Sequence, residues 1–360
     1  MSLPSSSYIP SLDGLRGISI LLVFVAHIGF EKIVPGGLGV TIFFFISGYL
    51  ITSLLISEIN NTGSIHFKLF FIRRLMRLYP PLLFMICLFY LYLFFTNQGI
   101  NVYEVLASLF YYENYYFYYH PDPAHSSDIC KVLWSLVVEE HFYLVFPALF
   151  WLIYKSPKAL MTMLIVLLFV PLVFRLWGIM MYGSTGDITE RYTYLLTHTR
   201  FDSIIYGCLA SVLLHIYNSA VYVKIISNKW VFAAAALTIV ACLVVRNGAF
   251  RNTIRYSIQG LSLLVVIPAV VNIPIYQNLR TLLSNRALVF VGKLSYSIYL
   301  THMTAIGSLA FIRKNGHPLL FYVLVILLTA ALSVFSYQFI EKPFAKLRTR
   351  YRAKERLTLA

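Results

Sequence analysis

Ten separate stretches of about 20 predominantly apolar residues punctuate the chain, and this spacing constrains its fold more than any other feature. The stretches run over 13–31, 37–57, 80–96, 135–154, 159–181, 200–217, 230–246, 256–274, 288–308 and 319–340. Lipid offers no hydrogen bonds to a backbone, so segments of this length cross it as helices. The expected fold is therefore all-α: a polytopic membrane bundle of about ten transmembrane helices. An eleventh stretch, 102–118, is rich in Tyr and carries Glu104, Glu113 and Asn114. Tyr prefers the headgroup level, so this stretch is predicted to be interfacial or re-entrant. No basic segment precedes Gly17–Phe30 and no small-residue cleavage site follows it, so the first span is expected to be retained.

Composition closes off other classes. The chain is 59% hydrophobic and only 12% charged, with a mean hydropathy of +0.75. Soluble domains carry about 25% charged residues. A soluble enzyme, a disordered tail and a nucleic-acid-binding domain are excluded. The net charge of +15 is read as basic cytoplasmic loops rather than as a nucleic-acid partner. With the N-terminus inside, the cytoplasmic segments hold seventeen basic residues and the outer loops eight, which predicts both termini cytoplasmic. Residues 1–341 form the expected transmembrane domain. Residues 342–360 read as a polybasic tail lying against anionic lipid, with Pro343 stopping the last helix. Four cysteines make no disulfide framework; Cys87, Cys208 and Cys242 sit in apolar runs, and Cys130 sits in a loop without an obvious mate.

Ionisable groups inside spans are costly, so each is a functional candidate. Arg16 and His27 are eleven residues apart on the first span, about three full turns, so they share one face at a separation of roughly 16 Å. His27 is either a base or a structural imidazole satisfied by a carbonyl. The fourth span opens Trp134-Ser135-Leu136 and continues Glu139-Glu140-His141-Phe142-Tyr143. Run from outside to inside, it places these carboxylates at the depth assigned to His27. A carboxylate orienting an imidazole is the unit of general-base catalysis, and the alternative is a buried Glu paired with Arg. Phe67–Pro81 carries Arg73, Arg74 and Arg77 at helical spacing. It reads either as an amphipathic helix lying on the bilayer or as a phosphate-binding cluster. Ser47-Gly48 supplies small residues for close helix approach. Asp13 lies at the mouth of the first span, and Arg200 with Asp202 opens the sixth. Tyr296, Tyr299 and His302 form one stripe, with His302 placed to join His27 or to face the interface. His120 and His125 make no convincing ligand set, and no metal is expected.

Taken in order, Asp13-Gly-Leu-Arg16 with His27, Pro35-Gly-Gly, Phe43–Ile51, Arg73-Arg74-x-x-Arg77, Trp134–Tyr143, Leu294–His302 and Ile340–Phe344 resemble the acyltransferase family 3 of integral membrane O-acyltransferases. The resemblance covers nearly the whole chain, and its motifs keep their order. It implies an acyl-CoA donor, most often acetyl-CoA, bound on the cytoplasmic side, and a hydroxyl of a cell-surface or lipid-linked saccharide such as O-antigen or exopolysaccharide as acceptor. It also implies that Arg16 and His27 are essential and that the family's WSL-x-x-E pattern falls on Trp134, Ser135 and Glu139. His141 stands where Gln is more usual. The esterase-like domain that many members carry is not expected within these 360 residues. On this reading His27, oriented by Glu139 or Glu140, deprotonates the acceptor or carries the acyl group itself, while Arg16, Arg73, Arg74 and Arg77 hold the donor's phosphates. A polytopic transporter of an acidic metabolite or glycan is the rival expectation.

Overall fold

A computed structural model describes residues 8–97, 99, 101–122 and 127–347, and every regular element among them is helical. The first helix, α1 (Pro10–Val25), starts with proline in its first turn and ends in a π-turn, Ala26–Phe30. Gly29 in that turn takes φ 118°, a region that costs glycine nothing. It is followed by α2 (Gly36–Thr62), α3 (Phe67–Phe95), α4 (Val102–Leu109), α5 (Glu113–Tyr119), α6 (Asp128–Lys131), α7 (Trp134–Ile153) and α8 (Pro157–Tyr182). Then come α9 (Asp187–Leu195), α10 (Thr197–Arg200), α11 (Asp202–His215), α12 (Ala220–Ser227), α13 (Lys229–Val244), α14 (Gly248–Asn252) and α15 (Ile254–Asn272). The last are α16 (Gln277–Leu283), α17 (Arg286–Lys293), α18 (Ser295–Lys314) and α19 (Pro318–Ser336), with a second π-turn at Tyr337–Glu341.

Seven helices among the described residues are long and apolar enough to cross a membrane, or eight if α11 and α12, bent by 116°, count as one span. The expected count of ten is not reproduced. The predicted span 230–246 is the 16-residue α13, about 24 Å long against a hydrocarbon of roughly 30 Å. The predicted span 288–308 breaks at Leu294 into α17 and α18, and α18 carries Ser, Thr, His, Arg and Lys. Two further expectations are corrected. The basic segment of Arg73, Arg74 and Arg77 is not a separate surface helix: α3 runs unbroken through Pro80 and Pro81. Nor does Pro343 stop the last helix, which continues to Leu347. The wider i→i+5 register of the preceding π-turn makes room for a proline ring. Of the predicted tail, residues 348–360 lie outside the described residues.

The centre of the bundle is the pair α2 and α11. A Cβ on Gly48 would sit 1.9 Å from the Ile204 carbonyl oxygen, and one on Gly207 would sit 2.0 Å from that of Phe45. Small residues on both helices thus let the two backbones touch, the packing that lipid favours. This contact seats Ser47, one residue away, at the core.

The stretch 102–118 forms two short helices, α4 and α5, neither long enough to span. Glu113 on α5 is fully buried, with one carboxylate oxygen lacking a partner among the described residues and the other 3.5 Å from Ser108 Oγ. Burial, with Glu104 nearby, pushes its carboxyl up to about 9. Such a group favours the folded state only while protonated. Its contribution is complete below about pH 4.5 and is lost as pH rises toward about 9. Glu113→Gln, neutral at every pH, should therefore raise the melting temperature at about pH 9 and leave it unchanged near pH 4.5. Thermal unfolding followed by intrinsic fluorescence at both pH values checks this.

Candidate active site

Two cavities bring the candidate residues together. The smaller, about 200 Å³, is lined by Arg16 of α1, Ser47 of α2, Arg74 and Arg77 of α3, Ser135, Glu139 and Tyr143 of α7, and Tyr296 and Tyr299 of α18, with apolar residues of α2 between them. The larger, about 500 Å³, is lined by His27, Trp134, Tyr299 and polar residues of α9, α14 and α15. Tyr299 belongs to both walls. The first residues of α7 divide in the same way, with Trp134 on the histidine side and Ser135 on the arginine side. Arg16 and His27, placed on one face of one helix by sequence, thus reach one cavity each.

Hydrogen bonding fixes the dividing wall. Tyr299 Oη donates to the Val132 carbonyl at 2.6 Å and lies 2.8 Å from Ser135 Oγ. A phenol has one proton, so Ser135 donates to Tyr299. Tyr296 Oη donates to the Leu78 carbonyl at 2.8 Å, tying α18 to α3.

One turn beyond Tyr299, His302 is fully buried. Its Nδ1 lies 2.8 Å from the Tyr299 carbonyl and 3.0 Å from that of Ile298. Carbonyls only accept, so Nδ1 carries the proton. Nε2 of the neutral ring is then an acceptor, 3.1 Å from His27 Nδ1. His27 must donate through Nδ1, which leaves the lone pair on its Nε2. The His27 ring is exposed to the cavity, and its Nε2 has no protein partner among the described residues. A base held in one tautomer by a buried neighbour is the arrangement that proton abstraction requires.

The predicted pairing of His27 with Glu139 or Glu140 is corrected by these contacts. Glu139 Oε1 accepts from Ser47 Oγ at 2.9 Å, and its other oxygen is 4.0 Å from Arg74. Glu140 accepts from Arg74 Nε at 3.2 Å. Both carboxylates face the arginine side. The helical span already begins at Ile129, not at 135, so Glu139 lies ten residues, about 15 Å, along it, on the arginine cavity and not on the one that His27 lines. Arg73 departs from the expected trio as well: it pairs with Glu58 at 3.3 Å and does not line the cavity. Arg74 stacks on Tyr143, its guanidinium 3.2 Å from the ring centroid, and Arg16 is 3.9 Å from Asp13.

Arg200 and Asp202 do not pair with each other. Asp202 meets Arg175 at 2.7 Å, both side chains fully buried, with Ser257 and the Thr199 carbonyl completing the set. Arg175 went unassigned in the sequence, although a charge in mid-span calls for a partner. Breaking this pair by Asp202→Leu leaves an uncompensated buried cation and should cost about 3–5 kcal/mol. The double variant Arg175→Met/Asp202→Leu should regain most of that, as read by thermal unfolding in detergent. Arg200 sits in an aromatic box, 3.8 Å from the Tyr256 ring centroid and 5.0 Å from that of Tyr194. Trp134, 4.6 Å from Tyr194, closes the same box. His141, unlike its neighbour Glu139, lines neither cavity and bonds Thr197 Oγ1 at 2.8 Å. Among the described residues no group of three metal-ligating side chains occurs, and His125 lies outside them.

Comparison with known proteins agrees with this architecture. The model of the acyltransferase domain family matches residues 9–338. The O-acetyltransferase OatA of Staphylococcus aureus is 32% identical over 370 residues, covering 95% of this chain and 58% of the relative. The peptidoglycan O-acetyltransferase OatA of Listeria monocytogenes is 31% identical over 358 residues, covering 95% of this chain and 56% of the relative. The chain thus spans less than three-fifths of these relatives' length. No solved structure matches. With a family match over nearly its whole length and a bundle of apolar, membrane-crossing helices, the chain belongs to the acyltransferase 3 family of multi-pass membrane proteins.

Proposed function

We propose that this protein is a membrane O-acyltransferase that moves an acyl group, acetyl in the first place, from cytoplasmic acyl-CoA to a hydroxyl of a cell-surface saccharide, with His27 as base. The observation that carries this reading is the pair of cavities sharing Tyr299 as a wall, one rich in arginine and the other holding the His27–His302 pair. Peptidoglycan, named for the Listeria relative, is the first acceptor to try, ahead of O-antigen or exopolysaccharide.

The arginine cavity suits the donor. Arg16, Arg74 and Arg77 converge on this wall, and although Asp13, Glu139 and Glu140 answer two of them, three guanidinium forks at one cavity suit phosphates. The apolar part of the same wall, Phe43, Ile46 and Leu50, suits a slim uncharged arm. When bound, acyl-CoA supplies an activated carbonyl whose thiol can leave. The basic-residue bias of the loops supports the cytoplasm as the side from which Arg74 and Arg77 are reached.

The protein's own residues then manage one proton. His27 Nε2 accepts it from the acceptor hydroxyl as the new O–C bond forms. His302 holds His27 Nδ1 and spreads the positive charge that develops on the imidazole pair. The same proton passes from His27 Nε2 to the departing sulfur as the C–S bond breaks, so the base is regenerated. Tyr299 and Ser135 keep the two cavities apart at rest, which protects the thioester from water on the saccharide side.

Membranes containing the protein, given radiolabelled acetyl-CoA and peptidoglycan or lipid-linked saccharide, should transfer label to the saccharide. A transporter of acidic metabolites would transfer none, and that result would discard the proposal.

A further inference from the structure

The wall of the histidine cavity formed by α14 and α15 contains cations that the fold does not neutralise. Arg251, Arg255 and Gln259 follow one another at four-residue spacing and all line the cavity. Arg255 Nη2 donates to Tyr256 Oη at 3.0 Å, while its Nε is buried with no acceptor. Neither Arg251 nor Arg255 makes an ion pair among the described residues, and Gln259, 2% exposed, makes no hydrogen bond to the protein among them. Glu31 and Glu190 line the same cavity, both exposed, and pair with neither arginine.

Elsewhere two arginines are answered by carboxylates, although their Nε groups too lack an acceptor among the described residues, and Arg200 is held by aromatic rings instead. Arg175 is matched by Asp202, by a hydroxyl and by a carbonyl, and Arg191 on the same cavity is matched by Asp187 at 3.2 Å. A buried donor left without an acceptor costs free energy, and a cation kept from its counter-ion costs more. Two arginines and an amide left open toward one cavity therefore point to an anion that arrives with a ligand. The guanidinium fork suits a carboxylate or a phosphate equally.

We propose that Arg251, Arg255 and Gln259 form an anion-binding subsite that reads a carboxylate or phosphate on the saccharide acceptor, so that the acceptor is an anionic rather than a neutral glycan. This rests on the reading of the histidine cavity as the acceptor site. The carboxylate would belong to a sugar acid of the glycan itself, and the phosphate to a lipid carrier or a phosphorylated sugar.

Purified full-length protein in lipid nanodiscs, probed by saturation-transfer NMR, tests the subsite with three sugars: N-acetylmuramic acid, N-acetylglucosamine 1-phosphate and N-acetylglucosamine. At least one charged sugar should bind about tenfold tighter than the neutral one, with the advantage shrinking as salt rises. Preference for the first identifies a carboxylate source, and preference for the second a phosphate. Arg251→Gln/Arg255→Gln should erase the advantage and leave the neutral sugar unchanged. Arg255→Lys, which keeps the charge and loses the fork, should retain the preference with severalfold weaker binding. Equal binding of all three sugars by the unmodified protein overturns the proposal, as does a preference that survives the double substitution in folded protein. Acetyl transfer in the same preparation reports the acyltransfer scheme separately. Transfer without charge preference sinks the subsite alone, and charge preference without transfer sinks the scheme alone.

Discussion

His27→Ala is expected to abolish acyl transfer, lowering kcat by about 10²–10⁴, the range general-base catalysis supplies. The ring is exposed in a cavity and carries no packing load comparable to that of His302, so the variant should remain folded and in the membrane. His302 separates a base pair from a lone base. His302→Ala removes the acceptor that holds His27 Nδ1, and kcat should fall about 10–100-fold through loss of the tautomer and orientation. His302→Gln offers an amide oxygen to the same Nδ1–H and should recover part of that loss. Because His302 lines neither the arginine cavity nor its arginine face, KM for acyl-CoA should stay constant in both variants. A purely structural histidine would instead change protein yield and leave the kcat of folded protein intact.

The second large effect concerns the donor. Arg77→Gln should raise KM for acyl-CoA about tenfold or more with little change in kcat, since a charge-assisted contact to phosphate contributes about 1.5–3 kcal/mol. Arg74 needs a gentler change. It answers Glu139 and Glu140, so its deletion would strand two partly buried carboxylates. Arg74→Lys keeps the charge, loses the fork and the stack on Tyr143, and should raise KM severalfold. Arg73→Gln, which removes the contact to Glu58 and does not touch the cavity lining, should leave KM unchanged. Steady-state kinetics with varied acetyl-CoA separates these outcomes. An unchanged KM in Arg77→Gln would return that helix to lipid contact.

The all-helical membrane fold was legible because hydropathy and length are properties of each segment alone. The Arg16–His27 spacing was read as one regular α-helix, but α1 ends at Val25 and His27 lies in the π-turn that follows, whose wider register the sequence does not announce. The Tyr296–Tyr299–His302 stripe was legible as a face, and the choice between cavity and interface was left to packing. What failed needed the third dimension. The expected meeting of Glu139 with His27 fails because residues 129–133 already belong to the helical span, and Glu139, further along it, meets Arg74. Arg73 was grouped with Arg74 and Arg77 because helical spacing cannot show that Glu58, at the end of α2, would claim it. The cations of α14 and α15 escaped notice because a basic residue in an outer loop looks ordinary. Only the structure shows that, among the described residues, no carboxylate meets Arg251 or Arg255.

The central claim is that donor and acceptor reach the His27 pair from opposite faces of the membrane. Oriented vesicles test it most directly. Radiolabelled acetyl-CoA, which does not cross a sealed bilayer, is supplied outside inverted vesicles and outside right-side-out vesicles, each carrying saccharide acceptor on the face that is extracytoplasmic in the cell. Transfer to the saccharide by inverted vesicles alone, absent in the His27→Ala protein, is the result expected. Transfer by right-side-out vesicles alone, or transfer in either that persists in His27→Ala, would contradict the account.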